Sequence, residues 1–150
     1  MIELLYLASQ IQCGAGEGLL NIQVDVYHQE KLVQTMNVND KALIDAPSVD
    51  DLEFQYKVMD NNAKCSLETP TEMALDSKST LPDFKGVYEQ DSVQTLLSNS
   101  GKYEELFLVE LGTTDKKSGA FDMQDVVFRV DNDPTPVIPA PTVASNIFPD

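Results

Sequence analysis

The sequence predicts an all-β domain, an antiparallel β-sandwich or jelly-roll-like fold with one or two short helices and an extended proline-rich arm. Three observations predict it. Apolar and polar residues alternate through residues 20–26 and again through 52–58, the period of a half-buried strand. Two runs rich in β-branched and aromatic residues, within 103–111 and 121–133, flank a polar loop that contains Gly112 and Gly119, a long β-hairpin signal. Five of the chain's eight prolines, Pro134, Pro136, Pro139, Pro141 and Pro149, fall after residue 133, which divides the chain into a β-rich domain over 1–133 and an arm over 134–150.

The elements follow in order. Residues 2–8 are a short apolar run and a first strand. Residues 13–18 are glycine-rich but lack the lysine and hydroxyl residue of a phosphate-binding loop, so they read as a connector. Leu20, Ile22, Val24 and Val26 then face one way, with Asn21, Gln23, Asp25 and Tyr27 facing the other. A polar turn at 28–30 sends 31–38 back antiparallel. Breaks at 39–41 and 45–48 precede the strand Leu52, Phe54, Tyr56, Val58, and a turn at 60–62 leads to a returning strand over 64–69. Thr69-Pro70-Thr71-Glu72 has the form of a helix start, with proline at the first position and Glu placed for a capping box, and predicts a turn or two through Asp76. Residues 91–101 give the better helix signal, with Val93, Leu96 and Leu97 on one face and Gly101 after the end. The hairpin follows, for seven or eight strands in all. Their one-sided apolar faces are buried by packing two sheets together.

Composition sets bounds on function. The 150 residues suit one domain. Ten basic against 25 acidic residues leave a formal charge of −15, which speaks against direct nucleic-acid binding and against an anionic membrane surface, and favours a basic partner or a cation. No apolar run approaches the roughly 20 residues that span a bilayer. Residues 1–8 lack a basic leader region, so cytoplasmic synthesis without a cleaved signal peptide is expected of this form. Cys13 and Cys65 lie far apart and read first as buried free thiols, with a single disulfide as the alternative. One histidine, His28, and two dispersed cysteines make neither a nucleophile with its base nor a zinc set, so no enzyme is expected.

Calcium is the metal that the sequence suits, because it takes hard carboxylate and carbonyl oxygens. Asp122, Asp125 and Asp131 are the candidate ligands, and exposed strand-end acids are the plain alternative. In a regular strand Asp122 and Asp125 point to opposite faces, so a shared ion needs a bulge or loop at Asp122. Leu106-Phe-Leu-Val-Glu together with Phe121-Asp-Met-Gln-Asp-Val-Val-Phe-Arg-Val resembles the closing strands of a family of secreted bacterial calcium-associated β-modules, over about residues 103–131. The resemblance implies an acidic turn that binds calcium before an apolar strand. Gln124 stands where that family favours Asn.

In the arm, proline removes hydrogen-bond donors and favours a polyproline-like chain, yet Val137, Ile138, Ile147 and Phe148 are apolar. These four are the expected partner-binding residues, on another subunit of a homo- or hetero-oligomer. The reading placed first is a structural protein of a larger assembly, a bacteriophage virion component such as a capsid decoration, cement or tail protein, located in the virion. An extracellular calcium-dependent adhesion or matrix module and an acidic nucleic-acid mimic are the alternatives.

Overall fold

Two-residue periodicity becomes two antiparallel sheets packed face to face. The structure, a computed structural model, describes residues 1–13, 18–60, 63, 65–79, 91–115, 117, 123 and 125–134, with the backbone alone at 91–94. Its strands are β1 (Ile2–Ala8), β2 (Ile22–His28), β3 (Lys31–Met36), β4 (Lys41–Ile44), β5 (Leu52–Val58), β6 (Thr71–Asp76), β7 (Glu104–Glu110) and β8 (Val126–Asp131), and its helix is α1 (Asp91–Ser98). A five-stranded sheet runs β4-β1-β8-β7-β6 and a three-stranded sheet runs β3-β2-β5. The long hairpin expected from sequence is β7–β8, paired from Glu104↔Asp131 to Val109↔Val126, and it forms the centre of the larger sheet.

The core lies between the sheets. Ile2, Leu4 and Tyr6 of β1, Val24 and Val26 of β2, and Val126, Phe128 and Val130 of β8 are all but fully buried in it. Phe54 of β5 crosses from the smaller sheet to stack on Phe107 and Phe128, at 4.8 and 5.6 Å between ring centroids. The Tyr6 hydroxyl donates to the Ile22 carbonyl across the core at 2.9 Å, and burial pushes its pKa up. At the flank, the Tyr56 hydroxyl donates to Glu72 Oε2 at 2.5 Å and ties the edge strands β5 and β6 together. Burial first, and Glu72 second, hold the Tyr56 proton on at every ordinary pH.

A second, smaller cluster covers the outer face of the five-stranded sheet. Leu97 of α1 packs there with Leu75, Leu106, Leu108, Met123 and Val127, and Leu96 lies against them. This explains β7, whose residues from Leu106 to Glu110 are buried on both faces.

Three local expectations fail, each for a physical reason. Residues 71–76 are a strand, not a helix. They pair with β7 from Thr71↔Glu110 to Asp76↔Glu105, sending Met73 and Leu75 to the outer cluster and Ala74 to the core. Six residues cannot repay helix nucleation, and Pro70 is tolerated just before an edge strand. Residues 65–69 form no strand; the partner expected of them along β5 is instead β2, paired from Ile22↔Val58 to His28↔Leu52. β4 was hidden because four residues are too few to show alternation, although Ala42 and Ile44 are buried and Lys41 and Leu43 are exposed.

Cys13 and Cys65 are joined in a disulfide, with Cα atoms 5.4 Å apart, which overturns the expectation of free thiols. The β2–β5 ladder brings them together. It continues through Met59 N donating to the Asn21 carbonyl, and Leu20 N donates in turn to the Ile11 carbonyl. The loop after β1 therefore runs beside the loop after β5.

Candidate functional site

The mouth of the β7–β8 hairpin holds two buried carboxylates, Glu110 and Asp125, with 0% and 4% exposure. Asp125 Oδ2 accepts from the backbone amides of Leu111 at 2.7 Å and Gly112 at 3.0 Å. Glu110 Oε2 accepts from the same Gly112 amide at 2.8 Å, and Oε1 from Met123 N at 3.3 Å. Buried charge persists when it is met by such donors. A Cβ at Gly112 would lie 3.1 Å from Glu110 Oε2 and 3.5 Å from Asp125 Oδ2, so the loop approaches the acids as closely as a glycine permits. Met123 holds a left-handed backbone, φ 58°, while its side chain fills the outer cluster. This loop closure is what the paired acids accomplish chemically: they take up amides that the turning chain leaves without ladder partners.

Of the three expected calcium ligands, Asp122 lies outside the described residues. Asp125 is at the start of β8 and Asp131 at its end, about 20 Å along the strand at ~3.3 Å per residue, so these two do not meet at one ion. Asp131 sits beside Glu3 and Glu104 in the ladder and accepts from Asp133 N at 3.0 Å. Among the described residues no three His, Cys, Asp or Glu side chains converge as a metal cluster. The expected partner-binding residues Val137, Ile138, Ile147 and Phe148 also lie outside the described residues.

Three features were missed in the sequence. Asp25, only 3% exposed, sits on the outward face of the smaller sheet's central strand. Lys57 Nζ lies 2.6 Å from its Oδ2, and Thr35 Oγ1 donates to its Oδ1 at 2.8 Å. These hydrogen bonds, from Lys57 first and Thr35 second, hold the Asp25 carboxyl below its usual range, and the same contact raises Lys57. The signal was an acid in the middle of the chain's cleanest alternation. Arg129, the chain's only arginine, is on β8 at the sheet centre, opposite Leu5 and Leu106, with its Nε buried and without a hydrogen-bond partner among the described residues. Its singularity was the available signal. Finally, a cleft of about 380 Å³ is lined by His28, Gln29, Glu30, Pro47, Asp51 and Glu53. It lies at the β2–β3 turn, where Gln29 and Glu30 both have positive φ, 51° and 67°.

The open edges carry exposed apolar side chains. Leu32 and Val33 of β3 are 53% and 43% exposed, Val38 in the β3–β4 corner is 38% exposed, and Leu43 of β4 is 59% exposed. No helix among the described residues is long and apolar enough to cross a membrane. Comparison with family models, curated proteins and solved structures returned no match.

Proposed function

We propose that this chain is a non-enzymatic structural module that assembles with other protein subunits, and that its first candidate setting is a bacteriophage virion, as a decoration, cement or tail protein. The observation that carries the reading is the set of exposed apolar residues Leu32, Val33 and Leu43 on two edge strands and Val38 in the corner between them. Sheet edges offer unpaired backbone groups, and apolar edge side chains add burial to that pairing. The Cys13–Cys65 disulfide supports a setting outside the reducing cytosol, which virion surfaces and secreted modules share. The arm after Asp133 is uncharged from Pro134 to Pro149 and carries Val137, Ile138, Ile147 and Phe148, a composition that suits an extended contact with a partner.

The test is size-exclusion chromatography with light scattering across a broad concentration range, with and without calcium. A concentration-dependent mass above that of one chain is expected without calcium. A monomer throughout overturns the reading. The calcium-dependent adhesion module is the alternative, and the Glu110 and Asp125 oxygens, already met by backbone amides, do not by themselves favour it. It predicts association only when calcium is added, and a calcium-dependent rise in melting temperature that Asp125→Asn removes.

A further inference from the structure

β3 pairs with β2 along one side, and among the described residues nothing pairs with the other. The side chains from Lys31 to Gln34 and from Asn37 to Lys41 are exposed. Natural sheets guard such an edge with charge, proline or a bulge. Here the guards are few. From Leu32 to Asn39 there is neither a charge nor a proline, and Leu32, Val33 and Val38 stand exposed. A bulge makes Val33 an extra residue opposite Val26 and Tyr27. Beyond it Gln34, Thr35 and Met36 keep regular register with Val26, Asp25 and Val24, so a short regular edge remains.

Charge at the two ends of this edge selects the occupant. Glu30 and Lys31 stand at its start, and Asp40 and Lys41 just past its end. Asp40 Oδ2 accepts from the Asn37 amide at 2.8 Å, which holds that carboxylate beside the last residue of β3. Two acids and two lysines leave residues 30–41 neutral on a chain of −15. A basic partner, which an acidic surface attracts, finds no net charge to recognise here. A second copy finds its complement. Turned end for end, β3 brings Lys31 and Glu30 of one copy to Asp40 and Lys41 of the other, and a two-fold axis repeats both pairs at the far end. The same rotation carries Leu32 and Val33 toward Val38, apolar toward apolar. The antiparallel direction it requires is that of every strand pair in the two sheets.

We propose that two copies join through β3, antiparallel about a two-fold axis near Thr35, so that two three-stranded sheets become one six-stranded sheet, β5-β2-β3-β3-β2-β5. This rests on the assembly reading above and names the partner as a second copy. A six-residue strand is a small share of the roughly 20–30 residues a side in a standard interface, so a weak dimer is expected, with Kd about micromolar to millimolar.

The test uses the full chain, with light scattering from about 10 μM to 1 mM to bracket that range and far-UV circular dichroism as the folding control. Val33→Lys places charge on the edge, and Lys31→Glu sets a second acid against Asp40. Both positions are exposed, so a native spectrum accompanies each. Gln34→Cys puts a thiol beside the axis, where it links to its own twin on mild oxidation; Glu53→Cys on β5, the far edge of the sheet, is the control. The expected result is a mass rising from one chain toward two, loosened about tenfold or more by either charge variant, with a covalent dimer from Gln34→Cys and none from Glu53→Cys. Association that either charge variant leaves unchanged, or that yields no link at position 34, overturns the inference and leaves the assembly reading standing. A monomeric unaltered chain overturns both.

Discussion

At Gly112 one backbone amide serves two buried carboxylates, and that arrangement has a measurable consequence. A methyl there meets Glu110 Oε2 at 3.1 Å, tighter than ordinary contact, so one acid must move from its donor. Gly112→Ala is expected to destabilise by about 1–3 kcal/mol, the range for overpacking a well-filled site, read by urea denaturation. Arg129 gives the opposite sign. Its buried Nε has no partner among the described residues, and an unsatisfied buried donor costs about 1–3 kcal/mol. Arg129→Met keeps the stem between Leu5 and Leu106 and removes the donor, so stability should hold or rise; a marked fall would show that the guanidinium has a partner the fold requires. Asp25 sets a pH dependence. Its folded-state pKa lies below the ordinary 3.8, so its contribution is present above that value and is lost as pH falls through the lower folded value. Asp25→Asn should therefore flatten the acid limb of a stability–pH curve below about pH 4.

At the scale of elements, the tightest hairpin is also the least comfortable. The turn between β2 and β3 places Gln29 and Glu30 in the left-handed region, where Asn-Gly is the favoured pair and an L side chain carries about 1–2 kcal/mol of strain. Exchanging the pair for Asn-Gly should stabilise by roughly 1 kcal/mol, shown by a rise in denaturation midpoint at constant slope. If association or ligand binding is lost at the same time, the cleft beside His28 has a use that strain was supporting. This hairpin was legible from the alternation of β2, and the β7–β8 hairpin from two β-branched and aromatic runs around a polar loop, since β7 is buried on both faces and shows no period of two. β6 was not legible: Thr69-Pro70-Thr71-Glu72 carries a genuine local helix-start signal, and only the nonlocal ladder to β7 overrides it. β4 failed for a related reason, since its two buried side chains acquire meaning only beside β1. The hairpin acids were visible as acids, but the amides that bind them arise from loop geometry, which spacing does not encode. Asp125 and Asp131 show the converse: two acids close in sequence stand at opposite ends of β8.

Across the whole molecule, the two sheets are held by three cross-links of different kinds: aromatic packing of Phe54 on Phe107 and Phe128, the Tyr6 and Tyr56 hydroxyls, and the Cys13–Cys65 bond. Phe54 is half-buried, so Phe54→Ala should cost about 2–4 kcal/mol, toward the lower side of the range for core aromatics. The disulfide acts on the unfolded chain. It closes a loop across a separation of 52 residues, and the loop-closure relation gives about 4 kcal/mol for a loop of that size. That is a large part of the roughly 5–15 kcal/mol that a domain of this class possesses. The double replacement Cys13→Ser with Cys65→Ser, or reduction of the unaltered chain, should therefore lower the denaturation midpoint sharply while leaving the β2–β5 ladder as the register of the folded remainder. The same measurement bears on where the protein works. A chain that depends on this bond requires an oxidising setting, so equal stability of the oxidised and reduced forms would remove the disulfide as support for a virion-surface or extracellular role, whereas unfolding on reduction would tie the fold itself to that compartment.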